Sequence, residues 1–197
     1  MKILGIDTTG QTASAALVED DKLICEFTLN YKLTHSQTIM PMIAEIIERS
    51  ETDKASIDCI ACAAGPGSFT GLRIGAATAK GFALALDKPL VAVPTLDALA
   101  YNVFETNKII CPIMDARRNQ VYTGIYRFAP TGNEWQMETV KEHCAVDVTE
   151  ILQACNELGE PVVFLGDGVP VYKAQIAENC QVPYTFAPAG MNRQRAA

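Results

Sequence analysis

Twice in this chain an apolar strand pattern ends in an aspartate, at Asp7 and at Asp115, and the same order of elements follows each time. In the first half, Lys2–Asp7, Ala13–Val18 and Lys22–Leu29 read as strands joined by Thr8-Thr9-Gly10-Gln11 and Asp20-Asp21. Strands linked this closely form an antiparallel meander. A helix follows, with Ile39, Ile43, Ile46 and Ile47 at helical spacing and Thr34 and Gln37 placed for a capping box. Pro41 lacks the donor a helix interior uses, so this helix starts near it or bends at it. Next come a strand at Ile57–Ala64, the turn Gly65-Pro66-Gly67-Ser68, a long helix to about Leu86 and a strand at Leu90–Val93. A helix capped by Thr95 closes this half, with Leu96, Leu99, Ala100, Val103 and Phe104 on one face. The second half repeats the order. Strands at Ile109–Asp115, Gln120–Phe128 and Trp135–Val140 precede a helix capped by Asp147 and Glu150 and ended at Gly159. A strand at Pro161–Leu165, the turn Gly166-Asp167-Gly168 and a helix near Val171–Asn179 complete it.

A doubled β-β-β-α-β-α order resembles the actin-like ATPase (ASKHA) superfamily, an α/β fold that holds nucleotide between two lobes. The lobes expected are residues 1–105, with the Gly-rich turn, and a smaller one at 106–197. Asp7 and Asp115 stand where that superfamily often places carboxylates facing phosphate or Mg²⁺. The residues alone also fit strand-end aspartates that bond their own turns.

The 197 residues are 49% hydrophobic, enough for a sizeable core. Sixteen Lys and Arg against 23 Asp and Glu give a formal net charge of -7, and no basic run exceeds Arg117-Arg118. A protein that grips nucleic acid unaided needs a basic face, because phosphate contacts dominate affinity. Any work on RNA therefore needs a partner's grip. Most of the seven cysteines sit in apolar runs, as small hydrophobes. Their odd number and irregular spacing fit a reducing compartment. Cys59 and Cys62 stand three apart, but a strand would set them on opposite faces, and no second pair has metal spacing. The chain enters a strand pattern directly after Met1-Lys2, and no apolar stretch approaches the roughly 20 residues a membrane crossing needs. These features predict a cytoplasmic protein with no membrane contact.

The segment Gly65–Gly75 feeds a glycine-rich turn into a helix N-terminus, where free N–H groups and the helix dipole favour an anion. A plain strand-to-helix turn explains the same glycines. Along the helix, Gly71, Gly75, Ala79 and Ala83 recur every four residues and share one face. Glycine in a helix costs about 1 kcal/mol relative to alanine, so the stripe needs a reason. Close packing on the chain's own sheet is one, and a docking face for another helix is the other. Ser68 is not in a Gly-x-Ser-x-Gly elbow, and neither His35 nor His143 is placed to serve it.

The run Gly65–Gly81 resembles the signature of the TsaB family. So do Gly5-Ile6-Asp7-Thr8-Thr9, His35-Ser36-Gln37 leading to Pro41, Pro94–Leu99, and Met114–Arg118 with Val121-Tyr122. The likeness is specific to about residue 126. Family members usually run further than Ala197, which implies a truncated second lobe. The resemblance implies a non-catalytic subunit that pairs with the catalytic paralogue TsaD for threonylcarbamoyl transfer to the adenosine beside the anticodon of tRNA. The small ATPase TsaE would join the complex, tRNA would be met indirectly, and the chain alone would form a homodimer. ATP and metal are expected in the partner subunits and no cofactor in this chain. The His-x-x-x-His metal pair of the paralogue has no counterpart here, so no metal site is expected. The implied interface comprises His35, Ile39, Met40, Ile43, Ile47, Gly71, Ile74, Gly75, Thr78, Ala79 and Phe82. Vestigial nucleotide contact would fall to Asp7, Gly65, Gly67, Asp115, Arg117 and Arg118. Two other readings stay open: a free-standing ATP-dependent enzyme such as a small-molecule kinase, and a regulatory homodimer using the same helix face.

Overall fold

The computed structural model describes residues 1–31, 34–132 and 134–197. They form two compact units, Met1–Ala98 with Gln194–Ala197, and Leu99–Arg193. The change of unit thus comes earlier than the expected 105/106, and the end of the chain packs with the first unit. Ala196 N–H donates to Ser14 Oγ at 3.0 Å, and Arg195 pairs with Glu26.

The first unit contains β1 (Lys2–Asp7), β2 (Ala13–Glu19), β3 (Lys22–Leu29), α1 (His35–Arg49), β4 (Cys59–Ala63), α2 (Phe69–Leu86) and β5 (Leu90–Val93). The sheet order is β3-β2-β1-β4-β5. The first three strands are antiparallel neighbours, and β4 and β5 run parallel to β1. Alternation along the strands turns Leu4, Ile6, Ala15, Leu17, Ile60 and Cys62 to the helix side, where they meet Ile39, Ile43, Ile46 and Ala79. Each fully buried isoleucine contributes about 1.5–3 kcal/mol of transfer free energy. Cys59 and Cys62 lie on one strand at odd spacing, so their sulfurs take opposite faces of the sheet. Helix α1 runs unbroken through Pro41. At its start, Gln37 Oε1 accepts from Thr34 N–H at 3.3 Å. Helix α3 (Thr95–Tyr101) is shorter than its pattern suggests: Val103 and Phe104 lie in turns, and the Tyr101 and Phe104 rings pack on Phe128. Thr95 Oγ1 accepts from Gly65 N–H at 3.1 Å, which ties the helix start to the Gly-rich turn.

The second unit contains β6 (Ile109–Arg117), β7 (Gln120–Thr131), β8 (Glu134–Asp147), α4 (Val148–Leu158), β9 (Val162–Leu165), α5 (Val169–Asn179) and β10 (Tyr184–Phe186). Its order, β8-β7-β6-β9-β10, is that of the first sheet strand for strand. The fold is the doubled actin-like α/β arrangement. Its core joins Ile109, Cys111, Ile113 and Phe164 to Ile151, Leu152 and Ile176. Strand β8 outruns the expected Trp135–Val140, and β10 is a strand that the periodicity does not reveal.

Candidate functional site

Helices α1 and α2 lie side by side on one face of the first sheet, α1 over β2 and β3 and α2 over β4 and β1. The small-residue stripe of α2 faces inward. Gly71, Gly75 and Ala79 are its buried residues. A Cβ on Gly71 would stand 2.0 Å from Thr8 O, and one on Gly75 2.5 Å from Thr8 Oγ1. Thr8 Oγ1 also donates to Gly71 O at 2.7 Å. The glycines therefore let α2 settle onto the end of β1, and they are unavailable to a partner. Ile39 and Ile43 are buried in the same core. Five of the eleven residues expected at an interface are thus buried in the unit's own packing, and Ile47, Ile74 and Phe82 pack partly against the same core, because the pattern marks which residues share a face but not which way that face turns.

The other six, His35, Met40, Ile47, Ile74, Thr78 and Phe82, are partly or fully exposed. Helical spacing places Thr70, Ala77, Gly81 and Leu84 on the side of α2 opposite the buried stripe, and all four are exposed. The helical pattern alone does not mark these outward residues, nor exposed Pro41 and Ala44 of α1. Their signal is the absence of charge: from Phe69 to Leu86 the only ionic residues are Arg73 and Lys80, both on one flank. A helix surface turned to water normally carries charged residues. Next to it, between the two helix starts, lies a cavity of about 610 Å³ lined by Tyr31, Thr34, His35, Thr70 and Ile74. The His35 ring is fixed there by its Nε2, 2.9 Å from Gly10 O.

The nucleotide candidates divide between the units. In the first, Asp7 is buried, and its Oδ1 accepts from Thr9 N–H at 2.8 Å and from Thr9 Oγ1 at 2.7 Å. That is a strand-end aspartate closing its own turn. Gly65 and Gly67 shape the turn into α2. A Cβ on Gly67 would meet Thr9 O at 2.5 Å, and Ser68 N–H donates to that oxygen at 2.7 Å. Ser68 caps α2 by accepting from Gly71 N–H at 3.3 Å. Beside Gly10 the space is filled by the buried Gln194 amide, 2.5 Å from where a Cβ would lie.

In the second unit, Asp115 accepts from Arg117 N–H at 2.9 Å and Tyr172 Oη at 3.0 Å, and pairs with Arg117 Nη1 at 3.1 Å. Burial, then the hydrogen bond to Asp115, pushes the Tyr172 hydroxyl up to about 12. Asp167, whose Oδ1 accepts from Asp115 N–H at 3.4 Å, is raised chiefly by burial. Arg117, Arg118 and Asn119 all have left-handed backbone, with φ of 71°, 54° and 63°. Such φ values cost the two arginines energy, and the bond from Arg117 N–H to Asp115 helps to hold the turn against that cost. Among the described residues, no group of three His, Cys, Asp or Glu side chains converges as metal ligands do. No helix among them is long and apolar enough to cross a membrane.

The family model for TsaD, tRNA N6-adenosine threonylcarbamoyltransferase, matches residues 22–193. A Bacillus subtilis protein named tRNA threonylcarbamoyladenosine biosynthesis protein TsaB is 36% identical over 178 residues, 90% of this chain and 76% of that one. The Escherichia coli protein of the same name is 37% identical over 129 residues, 64% of this chain and 55% of that one. Among solved structures, a Pseudomonas aeruginosa protein described as similar to the peptidase YEAZ superposes with a TM-score of 0.77 at 22% identity, over 99% of this chain and 86% of that one. That likeness shows a shared fold. With the signature from Gly65 to Gly81 built into the α2 packing and TsaB relatives matched along most of its length, the chain belongs to the TsaB family of tRNA threonylcarbamoyladenosine biosynthesis proteins.

Proposed function

We propose that this chain is the non-catalytic subunit of a tRNA threonylcarbamoyltransferase, and that it pairs with a TsaD-type catalytic paralogue through the outward side of α1 and α2. The observation that carries this reading is the uncharged exposed strip Thr70, Ala77, Gly81 and Leu84, with Met40 and Ala44 on the neighbouring helix. Small residues on that strip allow a partner helix to approach closely. The chemistry is assigned to the partner because Asp7, Asp115 and Arg117, offered for nucleotide contact, bond within their own turns. On this reading ATP and metal belong to the TsaD- and TsaE-type subunits, tRNA is met through the complex, and the work is done in the cytoplasm. In the absence of partner the same face joins two copies of this chain, since a patch of this kind can be self-complementary.

The test is threonylcarbamoyl transfer to tRNA in a reconstituted system, with and without this chain, alongside Ala77→Glu and Met40→Glu. Transfer should require both paralogues. Each substitution buries an unpaired carboxylate at the interface and should weaken pairing on the order of a hundredfold without altering the melting temperature. Transfer by this chain alone, or unchanged pairing of both variants in gel filtration, would overturn the proposal.

A further inference from the structure

On the side of α2 away from α1, the first sheet continues past the helix to β5, whose outer edge has no neighbouring strand among the described residues. Leu90 and Val91 are exposed along that edge. Between the edge and α2 lies a cavity of about 400 Å³, floored by Leu72, Ala76 and Leu90 and rimmed by Arg73 and Lys80. No acidic residue lines it, although the chain carries a formal net charge of -7. The Arg73 guanidinium rests 3.8 Å from the centre of the Phe69 ring, which holds it at the mouth.

We propose that this groove binds an extended acidic segment of a partner protein, which adds to β5 as a sixth strand. Free N–H and C=O groups on a sheet edge are a template for strand addition. The charge on the rim selects the ligand. Arg73 and Lys80 are seven residues apart, about 10 Å along a helix. Side chains on one face of a strand recur every ~7 Å, so acids at positions i and i+4, about 13 Å apart, fall within reach of the two flexible arms. The middle position, i+2, falls between the two arms, where Ala76 lines the cavity with a single methyl. The recognised pattern is acidic–x–apolar–x–acidic. The groove borders the pairing strip, since Arg73 and Lys80 stand one turn from Ala77 and Leu84, but it opens toward β5 and is lined by Leu90 and Val91, which the pairing strip does not include.

The experiment is fluorescence anisotropy of a labelled peptide, Thr-Glu-Thr-Leu-Thr-Glu-Thr, titrated with the whole chain. The peptide should bind, and Arg73→Glu with Lys80→Glu should weaken it about tenfold, as two exposed ion pairs are lost and reversed. Replacing both peptide glutamates by lysine should restore binding to that variant. Methylating alternate peptide nitrogens should abolish binding, because it removes the donors to the edge. Ala76→Leu, which fills the floor, should weaken the peptide with the charges intact. No anisotropy change with the wild-type chain, equal affinity for the charge-reversed variant, or undiminished binding of the methylated peptide would each overturn the proposal. Self-association that disappears in the charge-reversed variant but persists in Ala77→Glu would assign the groove, and not the pairing strip, to a second copy, and would overturn the proposal as well.

Discussion

At the scale of single residues, the glycines of α2 divide by what surrounds them. A Cβ on Gly75 would meet Thr8 Oγ1 at 2.5 Å, whereas one on Gly81 would meet nothing within 4 Å. Gly75→Ala should therefore overpack the helix against β1 and cost about 1–3 kcal/mol. Gly81→Ala should stabilise by about 0.5–1 kcal/mol, because it removes backbone freedom from the unfolded chain and adds no contact. Urea denaturation of the two variants checks the pair, and the same sign for both would refute the packing assignment. The sequence shows that Gly71, Gly75 and Ala79 share a face. It cannot show which way the face turns, because residues without side-chain polarity carry no mark of inside or outside. The candidate aspartates fared similarly: a carboxylate ending a strand looks the same whether it meets a ligand or, like Asp7, the next turn.

Elements were legible where periodicity and punctuation agreed. Helix α4 is the clearest case, since Asp147 opens it and Gly159 ends it in left-handed conformation with φ 70°. The periodicity ends β8 early, at Val140, because Lys141, Glu142 and His143 break the apolar alternation, which an edge strand tolerates on its exposed side. Strand β10 is three residues long after Pro183, too brief for a pattern, and parallel pairing with β9 supplies what its sequence does not. The α4 cap has a pH signature. Asp147 Oδ1 accepts from Thr149 N–H at 2.9 Å and from Thr149 Oγ1 at 2.7 Å, and these bonds, the backbone one first, hold its carboxyl below the usual carboxylate range. A depressed folded-state pKa contributes stability that is fully present above the unfolded value and is lost as pH falls through the folded one. Asp147→Ala should thus lower the melting temperature at neutral pH and bring it closer to wild type in acid. A constant difference across the acid range would contradict the cap.

At the scale of the whole molecule, the doubling was readable from element order alone, and the two sheets repeat it strand for strand. What element order does not contain is the return of the chain's last residues to the first unit, which depends on single side chains far apart in sequence. Gly5 leaves room for this return, since a Cβ there would stand 2.3 Å from Ala196 O. Arg195 Nε lies 3.2 Å from both carboxylate oxygens of Glu26, whose side chain is only 11% exposed. Removing the guanidinium strands a mostly buried carboxylate on β3, at a cost of about 1–3 kcal/mol. Arg195→Ala should therefore loosen residues 194–197 and speed amide exchange along β2 and β3, while exchange along β6, β7 and β9 stays at the wild-type rate. Exchange that rises equally in both sheets would mean that the return stabilises the chain globally. Exchange that rises in neither would mean that the Glu26–Arg195 pair contributes nothing and that the backbone contacts at Gly5 and Ser14 hold the segment by themselves.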